Sequence, residues 1–212
     1  MNKDIEIEIR GPLSKEKFKE LIKLFKAKGK KIAEKNRIFI DYSTFLKGGV
    51  KNRKQDIRLR VTNGIPEIVV KIGKWSGVDQ RRELSVLIKQ GDFDTLVEIF
   101  GELGFRKGML CVRKSKVYKY KGVEFSLVEV PGHSYYYEAE KLARKRENFN
   151  NITEEIKSIC TDLGLEIFNP KYFFQYIDRL NREVNEIFDY TAYTPNYFKK
   201  RFNLPDKKKN RR

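Results

Sequence analysis

Glu6 and Glu8 stand two residues apart, with Arg10 at the same interval beyond them, and the rhythm returns in Arg58/Arg60, Arg81/Glu83 and Glu138/Glu140. Side chains two apart on a β-strand share a face, at a separation of about 7 Å. Two carboxylates at that distance repel by roughly 2–3 kcal/mol at an effective dielectric near 20, unless water, salt or a bound cation absorbs the repulsion. Arginine, which recurs at these positions although lysine is abundant elsewhere, is the better bidentate partner for phosphate. His133 is the only histidine and follows Pro131-Gly132, a turn setting. Histidine-based nucleophilic or two-histidine metal chemistry would have to use that one residue. Hydrolytic chemistry here therefore rests on carboxylates, metal and basic side chains.

The 212-residue chain carries 46 Lys+Arg against 29 Asp+Glu, a net charge of +17. Such a surplus implies an anionic partner, whether nucleic acid, nucleotide, polyphosphate or membrane surface. Part of it lies in the terminal "PDKKKNRR", expected to be a disordered basic tail over 205–212 that could hold nucleic acid or serve solubility. The rest of the chain is basic without it. At 40% hydrophobic residues the chain supports one sizeable core or two small ones. No apolar run reaches the length of a membrane span and no signal-peptide pattern opens the chain. Cys111 and Cys160 belong to no CxxC pair, which argues against zinc or a disulfide framework and for buried free thiols in a reducing cytoplasm.

The elements that must position these charges are legible from periodicity. Ile5, Ile7 and Ile9 alternate with the acids of the first strand. Ser14 is a helix cap, followed by Phe18, Leu21, Ile22 and Phe25 at helical spacing and a stop at Gly29. Adding 75 gives Phe93, Leu96, Val97, Phe100 and Gly104, with Asp92 as the second cap. An internal duplication accounts for this match, and so does the common look of amphipathic helices. "NRIFIDYSTF" (36–45) reads as a strand. "DIRLRVTNG" and "IPEIVVKIG" form a hairpin at Asn63-Gly64, and a second pair of strands turns at Lys121-Gly122. "SYYYEAEKL" is a further strand. "ITEEIKSICTDLGL" is a helix capped by Asn151 or Thr153 and stopped at Gly164, and "PKYFFQYIDRLNREVNEIF" is a last, aromatic-rich helix. The sum is an α+β fold.

On strand after strand one parity is aliphatic and the other charged: Glu6, Glu8 and Arg10, then Arg58 and Arg60, Lys71, Arg81 and Glu83, Arg113, and Glu138 and Glu140. Two arrangements satisfy this. One is an open sheet with its charged face in water. The other is a closed barrel with helices over an apolar outside and charge lining the inside.

The order of these motifs resembles the CYTH domains, the triphosphate tunnel metalloenzymes. "EIEIR" is similar to the ExExK signature that opens that family. Then follow a helix ending in glycine, "FIDY", Arg58-Leu59-Arg60, a strand with Lys71, Arg81 and Glu83, a helix ending in Leu103-Gly104-Phe105, a basic strand, and Glu138-Ala139-Glu140. The match runs from about residue 3 to 182. It implies an eight-stranded antiparallel β-barrel flanked by helices, forming a tunnel domain over 1–182, with an aromatic extension over 183–204. It also implies that Glu6, Glu8, Glu83, Glu138 and Glu140 bind Mg²⁺ or Mn²⁺, and that Arg10, Arg58, Arg60, Lys71, Arg81 and Arg113 bind substrate phosphates. Glu6, Glu8 and Arg10 would be catalytic. The implied partner is a triphosphate-bearing small molecule or an RNA 5′ end, with a homodimer also possible. A polyanion offsets the cost of burying so many cations, several kcal/mol each, which favours tri- over monophosphates.

The chain departs from the pattern at four places. Arg10 replaces the signature lysine and cannot share its proton readily. Ser85, Ser115 and Val128 stand where acid or base is usual, and Glu129 beside Val128 has the wrong parity. No HF pair precedes the first motif, a pair associated with bacterial class IV cyclases. Three functions follow: a metal-dependent triphosphatase with a trimmed site, a class IV-type adenylyl cyclase, or a non-catalytic triphosphate-binding tunnel. Trp75, in a loop, either stacks on an organic group or simply packs, and packing is the commoner case. The aromatic run 188–198 is expected to pack on the barrel.

Overall fold

The computed structural model describes residues 5–144 and 147–206; the basic tail from Lys207 onward lies outside them. Eight antiparallel strands form the body: β1 (Ile5–Leu13), β2 (Lys30–Asp41), β3 (Gln55–Thr62), β4 (Ile65–Ile72), β5 (Val78–Leu87), β6 (Lys107–Tyr120), β7 (Val123–Val130) and β8 (Ser134–Ala143). They pair in the order β2-β3-β4-β5-β1-β8-β7-β6, and β6 pairs back onto β2 from Lys30↔Lys119 to Asp41↔Met109. The sheet thus rings round on itself. A short strand β9 (Glu186–Asp189) continues along β6 beyond the end of β7.

Exchanging β1–β4 for β5–β8 maps the ring order onto itself, and α1 (Lys15–Lys28) and α2 (Phe93–Glu102) occupy corresponding places after β1 and β5. That symmetry is what the 75-residue offset predicts. The hairpins turn where expected. Asn63 and Gly64, and Lys121 and Gly122, all take positive φ, the backbone that a two-residue type I′ turn needs.

The aliphatic parity faces outward and is covered over much of the ring, while Ile72, Leu84 and Val86 on β4 and β5 stay exposed. Ile7 and Ile9 pack with Phe18, Leu21 and Phe25 of α1 and with Ile156 and Cys160 of α3 (Phe149–Asp162). Ile40, Leu59 and Val61 pack under Val97 and Phe100 of α2 and Phe198 of α5 (Tyr197–Phe202). Phe188 and Phe198 of the aromatic extension are both buried there. The third cluster is unlike the other two. Phe173, Tyr176 and Leu180 of α4 (Pro170–Glu183) pack with Trp75, Val130 and Phe168, across one end of the ring.

Three local expectations are corrected. The cap of α3 is Asn148, whose side chain accepts from the amides of Asn150 and Asn151, rather than Asn151 or Thr153. The last aromatic-rich helix stops at Glu183, because the amides of Val184 and Asn185 both turn back to the Leu180 carbonyl, freeing residues 186–189 to join the sheet. The strand read over 36–45 begins at Lys30 and ends at Asp41; Ser43–Phe45 form a 3-10 turn.

Candidate active site: a charged tunnel

The opposite parity of every strand points into the ring, and the charges meet there as ion pairs. On β1, Glu6, Glu8 and Arg10 are all buried, as are Lys71 and Arg81. The Lys71 ammonium donates to both Glu6 oxygens at 2.7 and 2.6 Å and lies 3.0 Å from Glu83. Arg60 donates to Glu67 at 2.9 and 2.7 Å. Arg10 pairs with Glu8 and Asp79, and with Glu138 at 3.3 Å. Arg81 is held by Asp56, Glu8 and Asp79 at 3.2, 3.3 and 3.5 Å. Arg58 pairs with Asp56. Burial of these paired charges is sustained because each of them has a partner of opposite sign.

The predicted residues do not share one space. A cavity of about 710 Å³ is lined by Glu6, Glu8, Arg60, Lys71, Glu83, Glu138 and Glu140. A second cavity of about 70 Å³, against α4, is lined by Arg10, Arg58 and Arg113, and Glu138 borders both. Arg81 lines neither; its guanidinium is locked among carboxylates in the wall. Trp75 is buried, stacked on the Arg53 guanidinium at 4.1 Å and edge-on to Phe173, so it packs. Ser115 and Val128 are buried cross-strand partners, leaving that stretch of the wall without charge.

Oxygen atoms of Glu6, Glu8 and Glu140 lie within 4.8 Å of one another. Burial, then the neighbouring Glu8, raises the Glu6 carboxyl above its usual range. Burial followed by Glu6 and Glu8 raises Glu140 well above it. Burial also acts to raise Glu8, but Arg10, Lys71 and Arg81 outweigh it and hold that group at about 2. Glu140 has no ion-pair partner among the described residues, and Lys71 alone does not bring Glu6 back to its usual range, so the cluster as a whole is short of positive charge. A hard divalent cation with oxygen ligands fits that deficit. Glu83 and Glu138 face basic side chains instead.

Several tunnel residues escaped the sequence reading. Asp56 and Asp79 are one step further along faces already recognised on β3 and β5, and their parity alone would have found them. Glu67 shares the parity of Lys71. Arg37 lines the larger cavity, and among the described residues it forms no ion pair; burial and the facing Arg60 lower its pKa. The long run of mixed residues in β2 hid its inward parity.

Solved structures with this fold include the PH1819 protein of Pyrococcus horikoshii OT3, at 23% identity and TM-score 0.65, covering 82% of this chain and 98% of that one. The PH1012 protein of the same organism matches at 20% identity and TM-score 0.60, over 77% and 94%. The Hippeastrum adenylyl cyclase candidate HpAC1, in which a triphosphatase activity is dominant, matches at 14% and TM-score 0.51, over 78% and 90%. No curated protein matches the sequence. The CYTH domain model matches residues 4–170, and with the charged interior of the ring this shows that the chain belongs to the CYTH domain family.

Proposed function

We propose that the protein hydrolyses a triphosphate, either inorganic tripolyphosphate or the triphosphate of an organic group such as a nucleoside or an RNA 5′ end, with a divalent cation as cofactor. The observation that carries this reading is the juxtaposition in the larger cavity. The Glu6, Glu8 and Glu140 carboxylates line one space of about 710 Å³ together with the basic side chains of Arg60 and Arg37 and with Lys71, which is bonded to Glu6. Glu6, Glu8 and Glu140 would hold Mg²⁺ or Mn²⁺, which when bound neutralises phosphoryl oxygens and acidifies water.

The chain's own residues do the rest. Lys71 and Arg60 are held at fixed positions by Glu6, Glu83 and Glu67, so they are oriented before substrate arrives. Pre-placed cations of this kind stabilise the charge that develops as the phosphoanhydride bond breaks. Arg37, which has no acidic partner among the described residues, offers its donors to a phosphate directly. Arg81 positions Glu8, and Arg10 links Glu8 to Glu138 at the boundary of the two cavities. Glu83 and Glu138, though reached by basic groups, remain at the edge of the carboxylate cluster and complete its charge.

In this function residues 1–182 would act as the tunnel unit and 183–204 as an extension joined to it through β9 and Phe198. Two buried free thiols fit a cytoplasmic setting, and among the described residues no helix is long and apolar enough to cross a membrane.

The test is incubation of purified protein with ATP or tripolyphosphate and Mn²⁺. Release of inorganic phosphate supports hydrolysis. Pyrophosphate with cyclic AMP would assign a cyclase, and saturable binding without product a binding tunnel.

A further inference from the structure

We propose that the outer band of the β2–β6 wall left bare between α1 and α5 binds single-stranded RNA, outside the tunnel and independently of the triphosphate reading.

The band is a gap in the covering of the sheet. The outward side chains of β6 run Leu110, Val112, Lys114, Lys116, Tyr118. Leu110 is buried in the cluster beneath α2 and α5. Tyr118 is buried under α1, its ring 5.8 Å from Phe25. The three residues between them are left in the open: Val112 is 37% exposed, Lys114 is exposed and Lys116 half-buried. On β2, Ile38, Asn36 and Glu34 are their direct cross-strand partners. The band therefore grades from apolar beside α5 to ionic beside α1. A groove of about 380 Å³ follows its apolar side, floored by Ile38 and Val112 and walled by Phe202, Leu204 and Pro205.

The ionic side has an excess of cations. Glu34 is the one acid among the six strand positions, and it is already bonded to Lys31 at 2.8 Å. After Lys31, Lys116 and Lys26 also act on that carboxyl and help to hold it below its usual range, so lysines of α1, β2 and β6 gather around one point. Lys26, Lys114 and Lys116 form no ion pair among the described residues. The excess continues along α1 into β2, where eight lysines from Lys15 to Lys31 stand against Glu16 and Glu20.

Uncompensated cations complement a polyanion. Lys114 and Lys116 are about 7 Å apart on their strand, a spacing that successive phosphates of an extended chain can follow. A row of cations beside an apolar, aromatic-walled groove is the arrangement that holds a single strand, its backbone on the charge and its bases against the apolar surface. Asn36 and Asn203 line the same groove and carry amides that can pair with base edges. A duplex hides the faces of its bases, and a flat bilayer would meet the flanking helices first. RNA is the nucleic acid recognised chiefly through unpaired bases.

The experiment is fluorescence anisotropy of the full chain with a labelled mixed-sequence RNA of about 12 nucleotides, within the usual site size for single strands. The RNA carries a 5′-hydroxyl, so that no terminal phosphate can engage the tunnel. Wild type should bind it saturably, and the duplex of the same length at least tenfold more weakly. Lys26→Gln/Lys114→Gln/Lys116→Gln should weaken binding at least 30-fold at about 0.1 M salt and lower the salt slope by about 2, with an unchanged melting temperature. Asn36→Glu, a single change that puts an acid at the centre of the band, should weaken binding at least tenfold. Lys207→Gln/Lys208→Gln/Lys209→Gln, in the tail, should bind within threefold of wild type. Equal affinity for duplex and single strand would overturn the proposal, as would loss of binding in the tail variant with none in the wall variants. So would binding to phosphatidylserine vesicles without binding to the RNA. None of these outcomes bears on triphosphate hydrolysis, which the phosphate-release assay tests separately.

Discussion

Glu8 and Glu140 are direct partners across the β1–β8 ladder, yet only Glu8 is surrounded by basic groups. Among the described residues Glu140 forms no ion pair. Burial and then the adjacent Glu6 and Glu8 raise its carboxyl well above the ordinary range. Between the unfolded value, about 4.3, and the raised folded value, the native state binds a proton that the unfolded chain releases. Native stability therefore falls as pH rises through that window. Glu8 has the opposite sign: its contribution is present above the unfolded value and is lost as pH falls toward about 2. Glu140→Gln should flatten the alkaline side of the stability profile, and at pH 8 the metal-free variant should melt at or above the wild-type temperature. Its Mn²⁺ affinity should drop at least tenfold. Thermal melts across pH with and without Mn²⁺ check both. A variant less stable than wild type at pH 8 with unchanged Mn²⁺ affinity would show Glu140 to be a structural carboxylate.

Arg37 and Arg60 both line the larger cavity, but among the described residues only Arg60 has carboxylate partners, Glu67 first. Arg37→Gln should therefore weaken tripolyphosphate binding about tenfold while leaving the melting temperature of the ligand-free protein unchanged or slightly higher. Arg60→Gln should weaken binding too, but should also destabilise, because Glu67 is left buried without its partner. Equal melting temperatures for the two variants would argue against this division of labour.

Much of this site was legible because charge and aliphatic character alternate with the period of a strand. The parity that put Ile57, Leu59 and Val61 outward put Arg58 and Arg60 inward, and both hairpins announced themselves by Asn63-Gly64 and Lys121-Gly122. Closure was not legible from parity, since an open sheet carries the same pattern. It depends on the long β2–β6 pairing, between segments some 80 residues apart that no local signal links. Nor was the division of the tunnel legible. Arg58 and Arg60 look equivalent in sequence, but residues of α4 line the space that Arg58 faces, and α4 shows only a helical aromatic pattern with no mark of what it covers. Asp56 and Asp79 were missed because single acids at the starts of strands resemble ordinary turn residues.

Gly11 ends the first charged motif for a steric reason. A Cβ there would lie 1.8 Å from the Glu166 carbonyl oxygen and 2.6 Å from the Tyr137 ring. The Phe168 amide donates to the Arg10 carbonyl at 2.9 Å in the same place, so β1 and the segment leading into α4 are in backbone contact. Gly11→Ala should destabilise by about 1–3 kcal/mol, as overpacking does in tightly fitted interiors. Denaturant titration measures it. Because the clash lies beside Arg10 and the approach to α4, triphosphate affinity should fall as well. A loss of stability below about 0.5 kcal/mol, the ordinary surface range, would mean that the segment yields easily.

Arg81 has the look of a phosphate ligand in sequence, but its surroundings predict a different phenotype. It is 1% exposed and faces three carboxylates, Asp56, Glu8 and Asp79. Removing its charge leaves those acids buried with fewer counter-ions, and breaking a buried ionic network from one side typically costs about 3–5 kcal/mol. Arg81→Met keeps most of the side-chain volume and isolates the charge, so the variant should unfold at markedly lower temperature and should regain stability as pH falls and the stranded acids take up protons. A ligand residue exposed in an open site would behave otherwise, with lower affinity and a nearly unchanged melting temperature. Thermal melts of Arg81→Met from pH 5 to 8, beside Arg37→Gln as the open-cavity reference, distinguish the two. If both variants melt with wild type across that range, Arg81 is a substrate ligand after all and the wall it is assigned to is held by other contacts.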